Sequence, residues 1–114
     1  MSIGYCGRIE LFDEDEFTAI YRYCGENWND DSETRGDIHA LDGEIYINKR
    51  CLEIDLYEAL KRGDVEIAKP CTSEYSKSRR TGPERMYFAL KLLRKVFTQY
   101  QEHGKLPEKC SFIV

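Results

Sequence analysis

The sequence predicts an α+β domain in which helices cover one face of a mainly antiparallel sheet. Short segments with apolar residues at every second position, typical of half-buried strands, recur along the chain. Three longer segments begin with helix-starting residues and end at a glycine. With 114 residues, of which 41% are hydrophobic, the chain has the size and apolar content of one folded unit, so we expect a single domain over residues 1–114.

The first strand and the first helix are predicted from two adjacent patterns. Apolar and polar residues alternate over residues 3–11, as in a strand with one buried face. Asp13 and Glu16 then have the spacing of a helix capping box. The positive end of a helix dipole also stabilises acidic side chains in the first turn of the helix. We expect a helix over residues 14–24 that stops at Gly25.

A hairpin is predicted in the middle of the chain. Asp42-Gly43 is a frequent two-residue hairpin turn, and runs with strand-forming residues flank it. We expect antiparallel strands over residues 38–41 and 44–48.

A second helix and a further strand follow the hairpin. Asp55 and Glu58 repeat the capping-box spacing, so we expect a short helix that ends at Arg62, before Gly63. Apolar residues alternate again over residues 64–68, which predicts a strand.

The longest helix is predicted near the end of the sequence. Pro83 suits the first turn of a helix and Gly104 suits its end, so we expect a helix from Pro83 to His103 and a last short strand over residues 110–114. At about 100° per residue its apolar side chains share one stripe. They are Met86, Ala89, Leu90, Leu93, Val96, Phe97 and Tyr100.

The order of these elements through residue 68 is strand, helix, strand, strand, helix, strand. This is the order of the ferredoxin-like fold (βαββαβ), to which the long C-terminal helix and the short strand would be appended. The broader prediction is an antiparallel sheet with helices on one face.

The chemistry-bearing residues do not predict an enzyme. The chain has five cysteines and two histidines, and no two cysteines have the C-x-x-C spacing of a zinc or redox site. No glycine-rich phosphate loop and no G-x-S-x-G motif occurs. We predict no catalytic residue, no metal site and no cofactor, and thiols that act as small apolar side chains. A cysteine grouped with His39 and Asp37 is the enzymatic alternative.

Charge is distributed unevenly along the sequence. Residues 1–60 carry fifteen acids against five lysines or arginines, and residues 61–114 carry twelve lysines or arginines against six acids. Such an asymmetry produces an acidic and a basic face when the two halves segregate in the fold, and an even surface when they interleave. The functional predictions depend on segregation.

The acidic half favours a protein-binding module, of the inhibitor or immunity type, that covers a basic site on a partner such as a nuclease. Acids that complement a basic surface speed association, and aromatic side chains add contact area. The predicted partner-binding residues are Glu26, Trp28, Asp30, Asp31, Glu33 and Asp37.

Nucleic acid is the alternative partner. Seven lysines or arginines stand against one acid between residues 77 and 95, and such a strip can neutralise phosphates while tyrosine stacks on bases. The predicted nucleic-acid-binding residues are Lys77, Arg79, Arg80, Arg85, Tyr87, Lys91, Arg94 and Lys95.

No membrane partner is predicted. No apolar run approaches the roughly 20 residues of a bilayer span, and the first residues lack the basic and long apolar regions of a signal peptide. We expect a soluble protein of the cytoplasm.

Overall fold

A computed structural model describes residues 5–27, 41–71 and 87–113 of the chain. Their elements are β1 (Tyr5–Glu14), β2 (Thr18–Asn27), β3 (Gly43–Asn48), a 3-10 helix (Lys49–Cys51), α1 (Leu56–Arg62), β4 (Val65–Lys69), α2 (Tyr87–His103) and β5 (Lys109–Ile113). The strands form one sheet in the order β4-β3-β2-β1-β5, with every neighbouring pair antiparallel. The predicted α+β class with an antiparallel sheet is confirmed.

The predicted helix over residues 14–24 is wrong, because most of this segment forms β2. A short turn joins β1 to β2, and the two strands pair as a hairpin. Ala19, Tyr21 and Tyr23 are fully buried, and the residues between them are half-buried. Burial at every second position belongs to a strand, so packing overrides the helix-starting signal at Asp13.

The strand order differs from that of the ferredoxin-like fold. In the predicted βαββαβ order a helix separates the first two strands, whereas here β1, β2 and β3 are neighbours in sequence order. β4 pairs with β3 after α1, and β5 returns to the other edge of β1. The loss of the first predicted helix therefore changes the topology of the whole sheet.

β3 also pairs differently from the predicted hairpin. The prediction places Gly43 in the turn, but Gly43 begins β3 and lies opposite Tyr23 of β2. On its other side β3 pairs with β4. Leu41 lies outside any strand, and residues 38–40 of the predicted hairpin lie outside the described residues.

The two ends of α1 are those that the sequence predicts. Asp55 is the N-cap, and its carboxylate accepts two backbone N–H groups of the first turn. Gly63 follows Arg62, the last residue of α1, and has a φ of 78°. This left-handed conformation costs a glycine little free energy. The strands predicted over residues 64–68 and 110–114 correspond to β4 and β5.

α2 and α1 cover the same face of the sheet, which we call the inner face. Of the predicted apolar stripe, α2 buries Ala89, Leu90, Leu93, Val96 and Phe97 and half-buries Tyr100. Phe88 and Leu92 are buried as well, so the apolar sector of α2 is wider than predicted. Met86 and the first residues of the predicted helix lie outside the described ranges.

The core joins both helices to the central strands. The inner face contributes Ile9, Ala19, Tyr21, Tyr23, Ile45 and Ile47, and α1 contributes Leu56 and Ala59 to the same cluster. The hydroxyl of Tyr21 donates to the carbonyl of Pro107 at 2.8 Å, and that of Tyr23 accepts the N–H of Cys71 at 3.0 Å. Burial raises the pKa of Tyr21. Both tyrosines therefore bury a ring without leaving the hydroxyl unpaired.

Two glycines allow two aromatic rings to lie directly on the sheet. Gly7 of β1 lies opposite Gly25 of β2. A Cβ atom at Gly7 would come within 2.5 Å of the Phe112 ring, and one at Gly25 within 2.3 Å of the Phe88 ring. The centroids of the two rings are 6.1 Å apart. α2 and β5 therefore pack closely against the hairpin because neither position carries a side chain.

Candidate functional site

The turn between β1 and β2 carries four consecutive acids between two phenylalanines, and we call residues 12–17 the acidic turn. Asp15 closes it, because Oδ1 accepts the N–H of Phe17 at 2.8 Å and of Thr18 at 2.7 Å. These bonds, that from Phe17 first, lower the pKa of the Asp15 carboxyl. Asp15 is therefore ionised at neutral pH, and its carboxylate fixes the shape of the turn.

Both phenylalanines of the acidic turn are exposed. Phe12 is 56% and Phe17 is 73% accessible to solvent. Phe12 is the extra residue of a β-bulge, where the register with β2 shifts, and a bulge changes the direction of the side chain it carries. The guanidinium carbon of Arg22 lies 3.7 Å from the centroid of the Phe12 ring. Two exposed rings in one short turn are typical of a contact surface.

The acidic turn is tied to the segment that follows β3. The N–H of Lys49 donates to the carbonyl of Phe17 at 2.8 Å, and its Nζ lies 2.7 Å from Oε2 of Glu14. The backbone under Phe17 is thus held although its ring points away from the core. The turn presents its rings from a fixed position.

Part of the charge of the acidic turn is unneutralised. Glu14 is paired with Lys49. Within the ranges that the structure describes, no ion pair reaches Asp13, Asp15 or Glu16. Three carboxylates beside two exposed rings therefore face solvent.

On the outer face, the side of the sheet opposite the helices, charges alternate instead. Glu10, Arg22 and Glu44 lie opposite one another on β1, β2 and β3. Lys109 of β5 faces Glu10, and Lys69 of β4 faces Glu44, so the alternation runs across all five strands. Nη2 of Arg22 lies 3.5 Å from Oε1 of Glu44. Acids and bases thus interleave across the described strands, so the segregation on which the functional predictions depend does not occur on this face. Among the described residues, the acidic turn carries a local excess of acids.

A groove of about 390 Å³ opens beside the acidic turn. Its lining residues are Glu10, Leu11, Phe12, Asp13, Glu14, Glu108 and Lys109. The N–H of Leu11 donates to the carbonyl of Glu108 at 2.7 Å, which holds the two walls together. Acids predominate, with an aromatic ring at the rim, and such a lining suits a lysine or arginine side chain.

The predicted partner-binding segment does not coincide with the acidic turn. Of its residues only Glu26 lies in the described part of the chain, in β2, where it is half-buried. β2 runs from the acidic turn to Asn27, so Glu26 lies at the far end of the strand. The remaining residues, which lie outside the described ranges, are Trp28, Asp30, Asp31, Glu33 and Asp37.

The predicted nucleic-acid interface is described only on α2. Nζ of Lys91 lies 5.3 Å from the centroid of the Phe112 ring, and Arg94 donates to the hydroxyl of Tyr57. Lys95 is exposed. Two of these three bases are therefore engaged by aromatic side chains. The predicted residues outside the description are Lys77, Arg79, Arg80, Arg85 and the side chain of Tyr87.

All five cysteines are buried. Burial raises the pKa of Cys51 to about 11 and also raises that of Cys110, so both keep their proton at neutral pH. Among the described residues, no three His, Cys, Asp or Glu side chains are grouped as metal ligands would be. His39 and Asp37 of the alternative catalytic group lie outside the described ranges.

Comparison with protein families, with curated proteins and with solved structures finds no match for this chain. Neither helix in residues 5–27, 41–71 and 87–113 combines the length and the apolar composition of a bilayer-spanning segment.

The acidic run of the turn is contiguous in the sequence, where its spacing predicts the beginning of a helix and not a turn between two strands. Phe12 and Phe17 flank the acids at the positions of a hydrophobic staple, which in a helix would pack against each other. In a hairpin the same two residues lie at a strand end and a turn, where neither is covered. The signal for a contact surface was thus an aromatic residue on each side of an acidic run.

Proposed function

We propose that this protein is a protein-binding module whose acidic turn and adjacent groove cover a basic surface on a partner protein. The inhibitor or immunity type of protein fits this description. One observation carries the proposal, namely the exposure of Phe12 and Phe17 on a hydrogen-bonded turn, beside three carboxylates that form no ion pair within the described ranges.

The fixed backbone favours binding by the acidic turn. The hydrogen bonds of Asp15 and the contacts of Lys49 hold the turn before any partner arrives, so little backbone entropy is lost on association. Each phenylalanine ring that enters a dry pocket on a partner is expected to contribute on the order of 2 kcal/mol. The rings would supply affinity.

The carboxylates support a different part of the binding reaction. Charges at the rim of an interface mainly raise the association rate and select partners of opposite charge. Within the described ranges no ion pair neutralises Asp13 or Glu16, so they can take this role, and the groove adds Glu108. A protein that handles nucleic acid presents a basic surface of the required sign, and occupying that surface would block access of the polyanion.

The full chain is used as bait to capture the partner protein from the native host. The captured partner is then purified and its affinity for the chain is measured. Phe12→Ser combined with Phe17→Ser is expected to weaken the partner affinity at least tenfold, because both rings are lost. Asp13→Asn combined with Glu16→Gln is expected to slow association and to reduce its salt dependence, with a smaller effect on dissociation. Surface plasmon resonance at two salt concentrations separates the two effects.

Matched controls lie elsewhere on the surface. Ile113→Ser removes an apolar side chain that is 70% exposed on β5, and Glu53→Gln with Glu102→Gln removes two exposed acids. These variants are expected to bind like the wild type. Loss of binding in the controls, together with wild-type affinity in the variants of the acidic turn, would refute the proposal.

The nucleic-acid alternative is tested on the same protein. Titration with single-stranded and double-stranded oligonucleotides would reveal a salt-dependent affinity if the basic segment binds phosphates. Arg79→Glu combined with Arg80→Glu would then remove that affinity, while the variants of the acidic turn would leave it unchanged. No oligonucleotide affinity is expected at physiological salt.

A further inference from the structure

A second charged cluster lies at the end of α1, beside the segment after β3 that also contacts the acidic turn. Asp64 has a side chain that is only 1% exposed, and three side chains contact its carboxylate. Oδ1 accepts Nδ2 of Asn48 at 3.1 Å and both Nε and Nη2 of Arg50, at 3.1 and 2.9 Å. Nε of Arg62 lies 3.4 Å from Oδ2. Two guanidinium groups thus share the two oxygens of one buried carboxylate.

The carboxylate of Asp64 is ionised. Hydrogen bonds from Asn48 and from Arg50 lower its pKa below the ordinary value for an aspartate. The backbone of the same residue is also held, because its carbonyl accepts the N–H of Asn48 at 2.8 Å. Asp64 is therefore a fixed negative anchor for the two arginines.

The two arginines keep free donors and a net positive charge. The side chains of Arg50 and Arg62 are 72% and 50% exposed. No hydrogen bond in the described ranges occupies Nη1 of Arg50 or either Nη of Arg62. Two positive groups face one negative group, and Lys61 adds a further base in the same helical turn.

We propose that Arg50 and Arg62, held side by side on Asp64, bind a phosphate group of the monoester type. The geometry combines Nη1 of Arg50 and both Nη groups of Arg62, which no hydrogen bond in the described ranges occupies, with a surplus of positive charge on an exposed surface. Guanidinium N–H groups form charge-assisted hydrogen bonds with phosphate oxygens. A phosphate monoester offers three terminal oxygens to these donors, whereas a carboxylate offers two.

An anion bound at this cluster would lie near the last carbonyls of α1. The last carbonyls of a helix carry negative partial charge and would repel it. Here the carbonyls of Ala59 and Leu60 accept the N–H groups of Asp64 and Gly63, at 3.0 and 3.2 Å. These groups are thus satisfied within the turn.

Anchoring on Asp64 distinguishes this pair from ordinary surface arginines. A free arginine loses side-chain entropy when it binds a ligand, whereas Arg50 is already held by two hydrogen bonds to Asp64 and Arg62 by an ion pair at 3.4 Å. One arginine would suffice to neutralise the buried carboxylate. The second makes the cluster cationic in a chain with a formal net charge of −4.

The test is a titration of the full chain with inorganic phosphate, at constant ionic strength, followed by proton–nitrogen spectra of the arginine Nε groups. We expect saturable shifts at Arg50 and Arg62 and none at Arg94, an exposed arginine that contacts Tyr57. Shifts that are linear in phosphate, or equal at all arginines, would overturn the proposal, because they indicate ionic screening only. This readout needs no substitution.

Substitutions sharpen the same test. Arg50→Lys and Arg62→Lys keep a positive charge beside Asp64 but remove the fork, so each is expected to weaken phosphate binding at least tenfold. Arg94→Lys is the matched control and should leave the affinity unchanged. Equal phosphate affinity in all three variants would refute the site even where the wild-type spectra respond.

The source of the phosphate is decided by comparing probes. A phosphoserine peptide that binds more tightly than inorganic phosphate, when its unphosphorylated form does not bind, supports a phosphorylated protein side chain as the ligand. Equal affinity for inorganic phosphate and for the phosphopeptide supports a small phosphate. Binding of the unphosphorylated peptide with the same affinity contradicts recognition of the phosphate group.

Discussion

The turn before β2 and the turn before α1 use an aspartate in the same way and lead to different structures. The Asp15 carboxylate accepts the N–H groups two and three residues ahead, at 2.8 and 2.7 Å. That of Asp55 also accepts the N–H groups two and three residues ahead, at 3.1 and 3.4 Å. A strand follows the first aspartate and a helix follows the second. The local cap therefore does not decide which element begins.

The residues after each cap decide the outcome through burial. After Asp55, Leu56 and Ala59 are buried three positions apart, which is the spacing of one helix face. After Asp15, the fully buried residues lie two positions apart, and they include Tyr21 and Tyr23 in the middle of the sheet. A buried aromatic pair at strand spacing outweighs a helix cap on the surface.

The largest expected effect tests this role of burial. Tyr23→Ala removes a fully buried ring from β2 and should lower the free energy of unfolding by about 3–5 kcal/mol. Tyr57→Ala, the matched change in α1, removes a ring that is 39% exposed and should cost less than about 1 kcal/mol. Urea denaturation followed by circular dichroism measures both, and equal losses would contradict the comparison.

The second prediction concerns the packing of β2 under α2. Gly25→Ala places a Cβ atom against the Phe88 ring and should destabilise the fold by about 1–3 kcal/mol. Phe88→Ala in the same chain removes all of the ring atoms that this Cβ atom would meet. The double variant should therefore lose less stability than the sum of the single variants. Strict additivity in urea denaturation would show that the close contact is not the cause.

The third prediction compares the two capping-box aspartates. Asp55→Ala leaves two N–H groups of α1 without their partner and should cost about 1 kcal/mol. Asp13→Ala should cost less than about 0.5 kcal/mol, because its carboxylate accepts only the N–H of Glu14, at 2.9 Å. Thermal unfolding of both variants side by side distinguishes them. An equal loss for Asp13→Ala would mean that this residue caps an element as Asp55 does.

The smallest effect is expected from the charge of Asp15. Its pKa is lowered in the folded chain, so its ionised form stabilises the fold above the ordinary value of 3.8. This contribution is lost as the pH falls through the lower, folded-state value. Asp15→Asn keeps an oxygen acceptor at this position but removes the titrating carboxyl group. Below pH 3.8 the free energy of unfolding of this variant should therefore fall less than that of the wild type.

Acid unfolding of the two proteins measures this difference. Asp64, whose pKa is also lowered, titrates in both proteins and cancels in the comparison. Identical slopes of stability against pH in the acid range would show that the Asp15 charge contributes nothing to the turn.

The elements whose local signals agree with their burial were predictable. In α1, the cap at Asp55, the apolar spacing and Gly63 all indicate a helix, and the helix ends where they place it. In α2 the apolar stripe identified the buried side. For residues 18–27 the capping-box spacing at Asp13 predicts a helix, whereas the buried side chains of Ala19, Tyr21 and Tyr23 have the spacing of a strand. Only the contact of these rings with the helices, which is non-local, settles that conflict.

The candidate sites were less predictable than the fold because they depend on pairs of distant residues. Asn48, Arg50 and Asp64 meet only after β3 and β4 pair, and nothing in their separate surroundings in the sequence indicates this. The alternation of charge across the outer face likewise arises from strand register. Only the acidic run between Phe12 and Phe17 is contiguous, and its exposure follows from the hairpin.

The opposed glycines of the hairpin also restrict how its strands can align. A slip of β1 along β2 by two residues would keep every side chain on its own face, so alternation of polarity alone does not forbid it. With β5 held in place, such a slip would bring a side chain of β1 beneath the ring of Phe112, where even one methyl group does not fit. Gly7 thus ties the alignment of β1 on β2 to the position of β5 on its other edge.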